Sequence, residues 1–132
     1  MPRPALWQPV LAAATVLAAT GYVAAVDPSE PGHFPACPFY AVSGYYCPGC
    51  GSLRAVHALT QGDPSAALHD NLLTVLAIPV AIGAWMVWFR RVRARRPGQF
   101  VLAPWLLWAG LGVMVVFTVV RNLPGFAWLA PQ

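Results

Sequence analysis

Residues 72–96 read LLTVLAIPVAIGAWMVWFRRVRARR, a run of 18 uncharged residues followed by five arginines within the heptapeptide 90–96. A helix rises about 1.5 Å per residue, so crossing a hydrocarbon core of about 30 Å takes roughly 20 residues. Two further uncharged runs, of 21 residues each, occupy 6–26 and 100–120. The sequence therefore predicts an all-α integral membrane protein in which these three runs are transmembrane helices.

The composition supports this class of protein. Apolar residues make up 58% of the 132 residues and charged residues only 9%, against about 25% charged in an average soluble domain. Five of the eight arginines lie between two uncharged runs, rather than over a face that also carries polar and aromatic residues. Since that arrangement is unlike a nucleic-acid-binding surface, we expect the lipid bilayer and not a nucleic acid as the partner.

The basic linker 90–99 predicts the orientation of the chain. Short arginine-rich loops stay on the cytoplasmic side of a membrane, which places the N-terminus with Arg3 inside as well. The loop 27–71 and the tail 121–132 are then expected outside. Five of the six tryptophans lie toward the inner ends of the spans, and the tyrosines and Trp128 lie toward the outer side, as interfacial aromatic belts do. The Arg-, Ala- and Pro-rich composition suggests a bacterium with a GC-rich genome, and hence its inner membrane.

A second interpretation of residues 6–26 stays open. Val23, Ala24 and Ala25 resemble a small-residue cleavage site, which is typical of a signal peptide that is removed from the mature protein. The 21-residue apolar run is longer than the roughly 7 to 15 residues of a usual signal core. We therefore expect 6–26 to stay as a span within a single membrane domain, residues 1–132.

The loop 27–71 concentrates the chemistry of the chain, because it holds all three cysteines, all three histidines and all four acids. Within it, residues 50–61 predict a short helix that ends at Gly62, and Asp63 followed by Pro64 predicts the start of the next helix. At about 100° per residue, one stripe of the short helix carries Cys50, Arg54, His57 and Gln61. The opposite side carries Ala55, Val56 and Leu59. We expect this amphipathic helix to lie in the membrane interface.

Two polar residues mark the outer ends of spans. Asn71 directly precedes the second span. Arg121 ends the third span, where its long side chain is expected to extend to the lipid headgroups.

The segment Cys47-Pro48-Gly49-Cys50 brings two thiols to one point through its central turn. Such a pair can close a disulfide, exchange with another thiol or bind a metal. With Cys37 there are three thiols, so a structural disulfide would join two of them and leave one unpaired. The outward face of the membrane is oxidising, which favours a disulfide.

A zinc site and a redox site are the other two uses of these thiols. A closed zinc site needs four ligands, and the candidates are Cys37, Cys47 and Cys50 with one histidine, His33, His57 or His69. For redox chemistry, Arg54 lies one turn from Cys50, where its charge would stabilise a thiolate. However, no βαβ pattern of the thioredoxin kind surrounds the motif.

One set of residues resembles a known family. The set is Cys37-Pro38, Gly44, Cys47-Pro48-Gly49-Cys50-Gly51, Arg54-Ala55, Leu59, Gly62, Ala67 and Asn71. Together, over about residues 37–80, it resembles the small bacterial membrane proteins of the domain-of-unknown-function 2752 family, in which a threonine usually stands at the position of Leu53. The resemblance implies a multi-span membrane protein without an assigned activity. It also implies that Cys47, Cys50, Arg54 and Asn71 are functional positions, with Cys37 next.

The sequence favours a non-enzymatic function, since no complete catalytic constellation is present. The hypothesis is a scaffold that docks a membrane or envelope partner, or a second copy of the chain. Cys47 and Cys50 would hold the shape of its loop, and Arg54 and His57 would face the partner. The alternative is a thiol-redox or zinc-binding membrane protein that uses Cys47 and Cys50. A transporter is disfavoured because the spans contain no interior charge.

Overall fold

The computed structural model of the chain describes residues 6–30, 32–94 and 103–131. Its α-helices are α1 (Trp7–Ala25), α2 (Pro38–Ser43), α3 (Ser52–Thr60), α4 (Pro64–Arg93) and α5 (Pro104–Arg121), and a 3₁₀ helix spans Pro124–Leu129. Throughout these ranges all regular secondary structure is helical, which confirms the all-α fold. The short helices α2 and α3 flank the cysteine motif, and α2 was not expected from the sequence.

Three of the described helices, α1, α4 and α5, are long and apolar enough to cross a membrane. Large apolar side chains on them point away from the protein, among them Leu17, Val80 and Trp108. Lipid-facing helices have this outward apolar surface, so the protein is a membrane protein with three candidate spans. The predicted start of the third span at 100–102, the second half of the linker, 95–99, and Arg3 lie outside the described residues.

Contacts at both ends of α1 set the relative directions of the helices. Near its N-terminus, the indole Nε1 of Trp85 in α4 donates to the carbonyl oxygen of Pro9 at 3.0 Å. Near its C-terminus, Nδ1 of His57 in α3 lies 2.7 Å from the carbonyl oxygen of Val23. The C-terminal end of α5 meets the same end of the bundle through Arg121, which bonds to Cys47. The cysteine-bearing segment and residues 121–131 therefore share one end of the bundle.

The turn between α3 and α4 has the form that the sequence predicts. Gly62 adopts φ +82°, its N–H donates to the carbonyl of Leu59 at 3.1 Å, and the N–H of Asp63 donates to the carbonyl of Ala58 at 2.9 Å. This pair of bonds is the Schellman motif that ends helices at a glycine. The carboxylate of Asp63 then accepts from the N–H of Ala66 and caps α4.

Small side chains let α3 pack tightly on the start of α4. Ala55 and Ala58 of α3 are buried against Ala67 of α4. Leu59 and Val75 pack around these three alanines. The apolar side of α3 thus faces protein, which fixes the helix next to the cysteine motif.

Asn71 interrupts α4 at the boundary between the cysteine-bearing region and the apolar span. Its backbone is non-helical, at φ −161° and ψ 95°. Its Oδ1 accepts from the N–H of Thr74 at 3.0 Å, as an N-cap residue does. Asn71 therefore begins the membrane-length part of α4, one residue before the predicted start of the span.

Two residues of the polar side of α3 and its C-terminal end, His57 and Gln61, contact α1. Besides the contact of His57 with Val23, the amide Nε2 of Gln61 donates to the carbonyl oxygen of Ala24 at 3.1 Å. Val23 and Ala24 belong to the last turn of α1, where carbonyls have no partner within the helix. Side chains of α3 satisfy them, so this face is used within the protein.

Candidate metal centre

The three cysteine sulfurs form a compact cluster. Sγ of Cys47 lies 3.5 Å from Sγ of Cys37 and 3.1 Å from Sγ of Cys50. All three sulfurs lie within 4.8 Å of one another, and all three residues are free thiols. A tetrahedral Zn²⁺ with Zn–S bonds of about 2.3 Å would hold its sulfurs about 3.8 Å apart. The cluster therefore has the size of one triangular face of such a site, with two of its sulfur–sulfur distances shorter by about 0.3 and about 0.7 Å.

Local backbone structure brings two of these thiols together. The segment Cys47–Gly51 is called the CPGCG loop below. It folds as two tight turns, in which the N–H of Cys50 donates to the carbonyl of Cys47 and the N–H of Ser52 donates to that of Gly49, each at 3.1 Å. The third thiol belongs to Cys37, which directly precedes α2. Pro38 begins this helix, and Gly44 ends it with φ +72°. The third thiol thus comes from a separate turn.

Gly51 is required where the CPGCG loop meets α4. Its φ is +83°, in the left-handed region, and a Cβ atom at this position would run into the backbone carbonyl of Asp70. Because the obstacle is backbone, it cannot rotate away. Only glycine lets the loop approach α4 this closely.

The environments of the three thiols differ. The backbone N–H of Tyr40, together with the neighbouring thiols of Cys50 and Cys47, lowers the pKa of Cys37 to about 7. Burial, reinforced by the neighbouring thiol of Cys47, raises the pKa of Cys50 to about 12. Cys37 is therefore ionised at a much lower pH than Cys50, and a bound cation would favour ionisation of the cysteines that ligate it.

Arg121 anchors the CPGCG loop from the end of α5. Its Nη1 donates to the carbonyl oxygens of Cys47 at 2.8 Å and Cys50 at 3.2 Å. Its Nη2 donates to the carbonyls of Cys50 at 3.2 Å and Leu129 at 3.1 Å. The side chain is 1% exposed, which corrects the expectation that it extends to the lipid headgroups.

No carboxylate pairs with Arg121 in the part of the chain that the structure describes. The guanidinium lies over the rings of Phe117 and Tyr46, 4.9 and 5.8 Å from their centres, and its hydrogen bonds all go to backbone carbonyls. Its Nε is buried without a hydrogen-bond partner. Burying a cation costs free energy unless an opposite charge lies nearby. Arg121 binds the backbone of Cys47 and Cys50, so the sulfurs of these residues are the groups that can supply such a charge.

Asn71 holds the same loop from α4. Its Nδ2 donates to the carbonyl oxygens of Pro48 at 2.9 Å and Cys50 at 3.0 Å. Asn71 is fully buried, and one side chain therefore both caps a helix and fixes the loop. This is a physical role for a position that the sequence predicts to be functional.

Asn122 adds a third anchor. Its Oδ1 accepts from the N–H of Tyr46, and its Nδ2 donates to the carbonyl of Tyr46, both at 2.9 Å. Sequence reasoning missed Arg121 and Asn122 as site residues. One signal was available, since an arginine at the end opposite the basic linker departs from the positive-inside pattern.

The histidines do not join the cysteine cluster. Among the described residues, the group that could hold a metal consists of Cys37, Cys47 and Cys50. His57, the predicted fourth ligand, points to α1 instead. His69 lines a separate cavity of about 540 Å³.

A larger cavity, of about 680 Å³, adjoins the cluster. Cys37 and Cys50 both line it, and so does Arg54 from the first turn of α3. Further lining residues include Glu30, Phe34, Tyr40, Tyr46, Ser52 and Pro131. The structure thus places Arg54, a predicted functional residue, beside two of the three thiols.

The fold and this site define a helical membrane protein that carries a three-thiol cluster at one end of its candidate spans. Residues 37–85 match the family model described as Protein of unknown function (DUF2752), which confirms the resemblance seen in the sequence. The match contains the cysteine cluster, α3 and much of α4, whereas Arg121 and Asn122 lie outside it. No curated protein and no solved structure matches the chain significantly.

Proposed function

We propose that this protein binds a thiophilic divalent metal ion, zinc foremost, through the thiolates of Cys37, Cys47 and Cys50. The observation that carries the proposal is the cluster itself, three sulfurs within 4.8 Å of one another. The bound ion would fix the shape of the cysteine-bearing segment at the membrane surface. In this proposal the protein is a scaffold whose docking surface forms only when the metal is bound. Its partner would be a membrane protein or a second copy of the chain.

Charge balance supports a divalent ion. Three thiolates and one divalent cation carry a net charge of −1, and Arg121 beside them supplies +1. A buried charge is tolerated when an opposite charge lies close and its hydrogen bonds are made. Ionised thiols give Arg121 the counter-charge that the described carboxylates do not provide.

A disulfide explains fewer of these observations. Joining Cys47 to Cys50 would make both sulfurs neutral and leave Cys37 as a single neighbouring thiol. Arg121 would then be buried next to an uncharged loop. The metal site accounts for all three cysteines and for the arginine together.

We also propose the orientation that the basic linker predicts, with the cysteine cluster on the outer face of a bacterial inner membrane. Arg90, Arg91 and Arg93 lie in the last turn of α4, far along the helix from Asn71 and the cluster. The bonds from His57 and Gln61 to α1 support retention of the first span rather than its removal.

Titration of the reduced, metal-free protein with Co²⁺ tests the proposal. We expect one Co²⁺ per chain, with sulfur-to-cobalt charge-transfer absorption that Zn²⁺ abolishes. Replacing any one cysteine by serine should weaken binding by more than the roughly 10- to 100-fold that loss of an outer-sphere contact costs. His57→Gln is the matched control and should leave the affinity unchanged.

Two results would overturn the proposal. One is the absence of stoichiometric Co²⁺ binding by protein whose three thiols are reduced and whose helical content is intact. The other is a stable disulfide in protein isolated from native membranes under alkylating conditions, detected as a chain that carries one alkyl group where the trithiol carries three.

A further inference from the structure

The three-thiol site has an incomplete coordination sphere, and this inference rests on the proposed function. Zinc sites with a structural role have four protein ligands, whereas sites with three protein ligands keep the fourth position for an exchangeable molecule. The described part of the chain brings three cysteines together and no histidine or carboxylate with them. A fourth ligand must therefore enter from outside the cluster.

The cavity of about 680 Å³ provides the space for that ligand. Small-molecule sites typically have volumes of about 300 to 1,000 Å³, far more than a single coordinated water needs. Cys37 and Cys50 contribute to its wall, so a molecule in the cavity lies next to the metal position. The free coordination position and the cavity thus belong to one site.

The wall of the cavity indicates the chemistry of the ligand. Its described lining includes the cation Arg54 and the carboxylate Glu30, and it carries the aromatic rings of Phe34, Tyr40 and Tyr46. A molecule with a carboxylate and an ammonium group matches this pair of opposite charges. A soft metal on three sulfurs favours a sulfur donor as its fourth ligand.

We propose that the cavity binds a small amino-acid or peptide thiol, whose sulfur takes the fourth coordination position of the metal. On binding, the S–H bond breaks and its proton goes to solvent, the sulfur lone pair forms the new metal–sulfur bond, and the water that held the fourth coordination position leaves to solvent. No atom changes oxidation state. The carboxylate of the ligand lies against Arg54 and its ammonium group against Glu30.

The test uses the Co²⁺-loaded full-length protein in detergent, with glutathione as the probe. Saturating glutathione should increase the sulfur-to-cobalt absorption and shift the ligand-field bands as the fourth sulfur binds. S-methylglutathione, which has the same charges and no thiol, should leave the spectrum unchanged. 2-Mercaptoethanol, a thiol without charges, should act only at much higher concentrations than glutathione.

Arg54 variants test how the ligand is recognised. Arg54→Gln should weaken glutathione binding by about tenfold, the effect of one charge-assisted hydrogen bond, and should leave 2-mercaptoethanol binding unchanged. Arg54→Lys should restore part of the loss. If Arg54→Gln does not fold, the comparison of the three probes on the unaltered protein still decides the question.

The outcomes separate this inference from the metal site. A spectrum that glutathione does not change, in protein that holds Co²⁺, overturns the thiol ligand and leaves the metal site standing. Equal responses to glutathione and S-methylglutathione also overturn it, because the sulfur would not be coordinated. Failure of the reduced protein to bind Co²⁺ overturns the metal site, and this inference with it.

Discussion

Arg121 donates hydrogen bonds through both of its Nη atoms to the carbonyl oxygen of Cys50, at 3.2 Å each, although 71 residues separate the two in sequence. The contact ties the end of α5 to the CPGCG loop. Since Asn71 donates to the same oxygen, the carbonyl of Cys50 is the point at which α4, α5 and the loop meet. The shape of the thiol cluster therefore depends on two buried side chains as well as on the cysteines.

Two substitutions of Arg121 distinguish the effect of its charge on metal binding from the effect of its hydrogen bonds. Arg121→Met removes the charge and the donors to the carbonyls of Cys47, Cys50 and Leu129. The carbonyls of Cys47 and Cys50 keep their bonds from the N–H of Cys50 and from Asn71, so the cost of an unpaired carbonyl, about 1–3 kcal/mol, falls on Leu129. Arg121→Lys keeps the charge and loses the planar guanidinium group that donates to several carbonyls at once. We expect Co²⁺ affinity to fall most in Arg121→Met and less in Arg121→Lys. Equal affinities in the two variants would contradict charge compensation by Arg121.

Asn71 has two roles that substitutions can distinguish. Asn71→Asp keeps the oxygen that caps Thr74 and loses the donor to the carbonyls of Pro48 and Cys50, whereas Asn71→Ala loses both. The cap contributes about 1 kcal/mol, and leaving the carbonyl of Pro48 without its donor costs about 1–3 kcal/mol, whereas the carbonyl of Cys50 keeps its bonds from Arg121. We expect both variants to unfold at lower denaturant concentration and to bind Co²⁺ weakly. A wild-type-like Asn71→Asp would show that only the cap matters.

Gly51 and Gly62 form a matched pair for testing the close approach to α4. Both have φ near +80°, but a Cβ at Gly62 meets nothing within 4 Å, whereas one at Gly51 meets the carbonyl of Asp70. Gly62→Ala should cost about 1–2 kcal/mol from backbone strain alone. Gly51→Ala should cost a further 1–3 kcal/mol or so, because the loop must move away. Thermal unfolding of the two variants measures the difference, and equal costs would contradict the packing at Gly51.

The lowered pKa of Cys37 predicts a pH-dependent reactivity in the metal-free protein. Thiolates and not thiols react with iodoacetamide, so alkylation of Cys37 should increase through about pH 7 and then level off. In the denatured chain the same increase should occur near pH 9.0, the ordinary value for a cysteine. Cys50, whose pKa is raised to about 12 by burial, should react slowest.

Site-resolved mass spectrometry after timed alkylation measures each rate. Bound Zn²⁺ should protect all three cysteines, which provides the control. Identical pH profiles for Cys37 and Cys50 in the folded protein would contradict the difference between their environments.

Local patterns in the sequence account for much of the fold. The uncharged runs predicted the three spans, and Gly62 and Asp63 predicted the turn between α3 and α4, because hydropathy and capping act within a few residues. The match at residues 37–85 agrees with the motif that includes Asn71.

The remaining features depend on contacts between distant parts of the chain. An arginine at the end of a span, such as Arg121, is typically in contact with lipid headgroups. In this protein the end of α5 lies close to Cys47, and the side chain of Arg121 binds the backbone there instead. His57 lies on a polar stripe, and such a stripe is equally consistent with a contact to another protein and with a contact to α1. Its contact with Val23 of α1 is visible only in the structure. Local spacing carries no information about either contact.

X-ray absorption at the zinc edge of the reduced, zinc-loaded protein, without added thiol, counts the sulfur ligands of the metal. We predict three sulfur neighbours at about 2.3 Å and one lighter neighbour, nitrogen or oxygen, at about 2.0–2.2 Å. Addition of glutathione should replace the lighter neighbour by a fourth sulfur. A zinc site with fewer than three sulfurs, or reduced protein that retains no zinc, would contradict the three-thiolate centre.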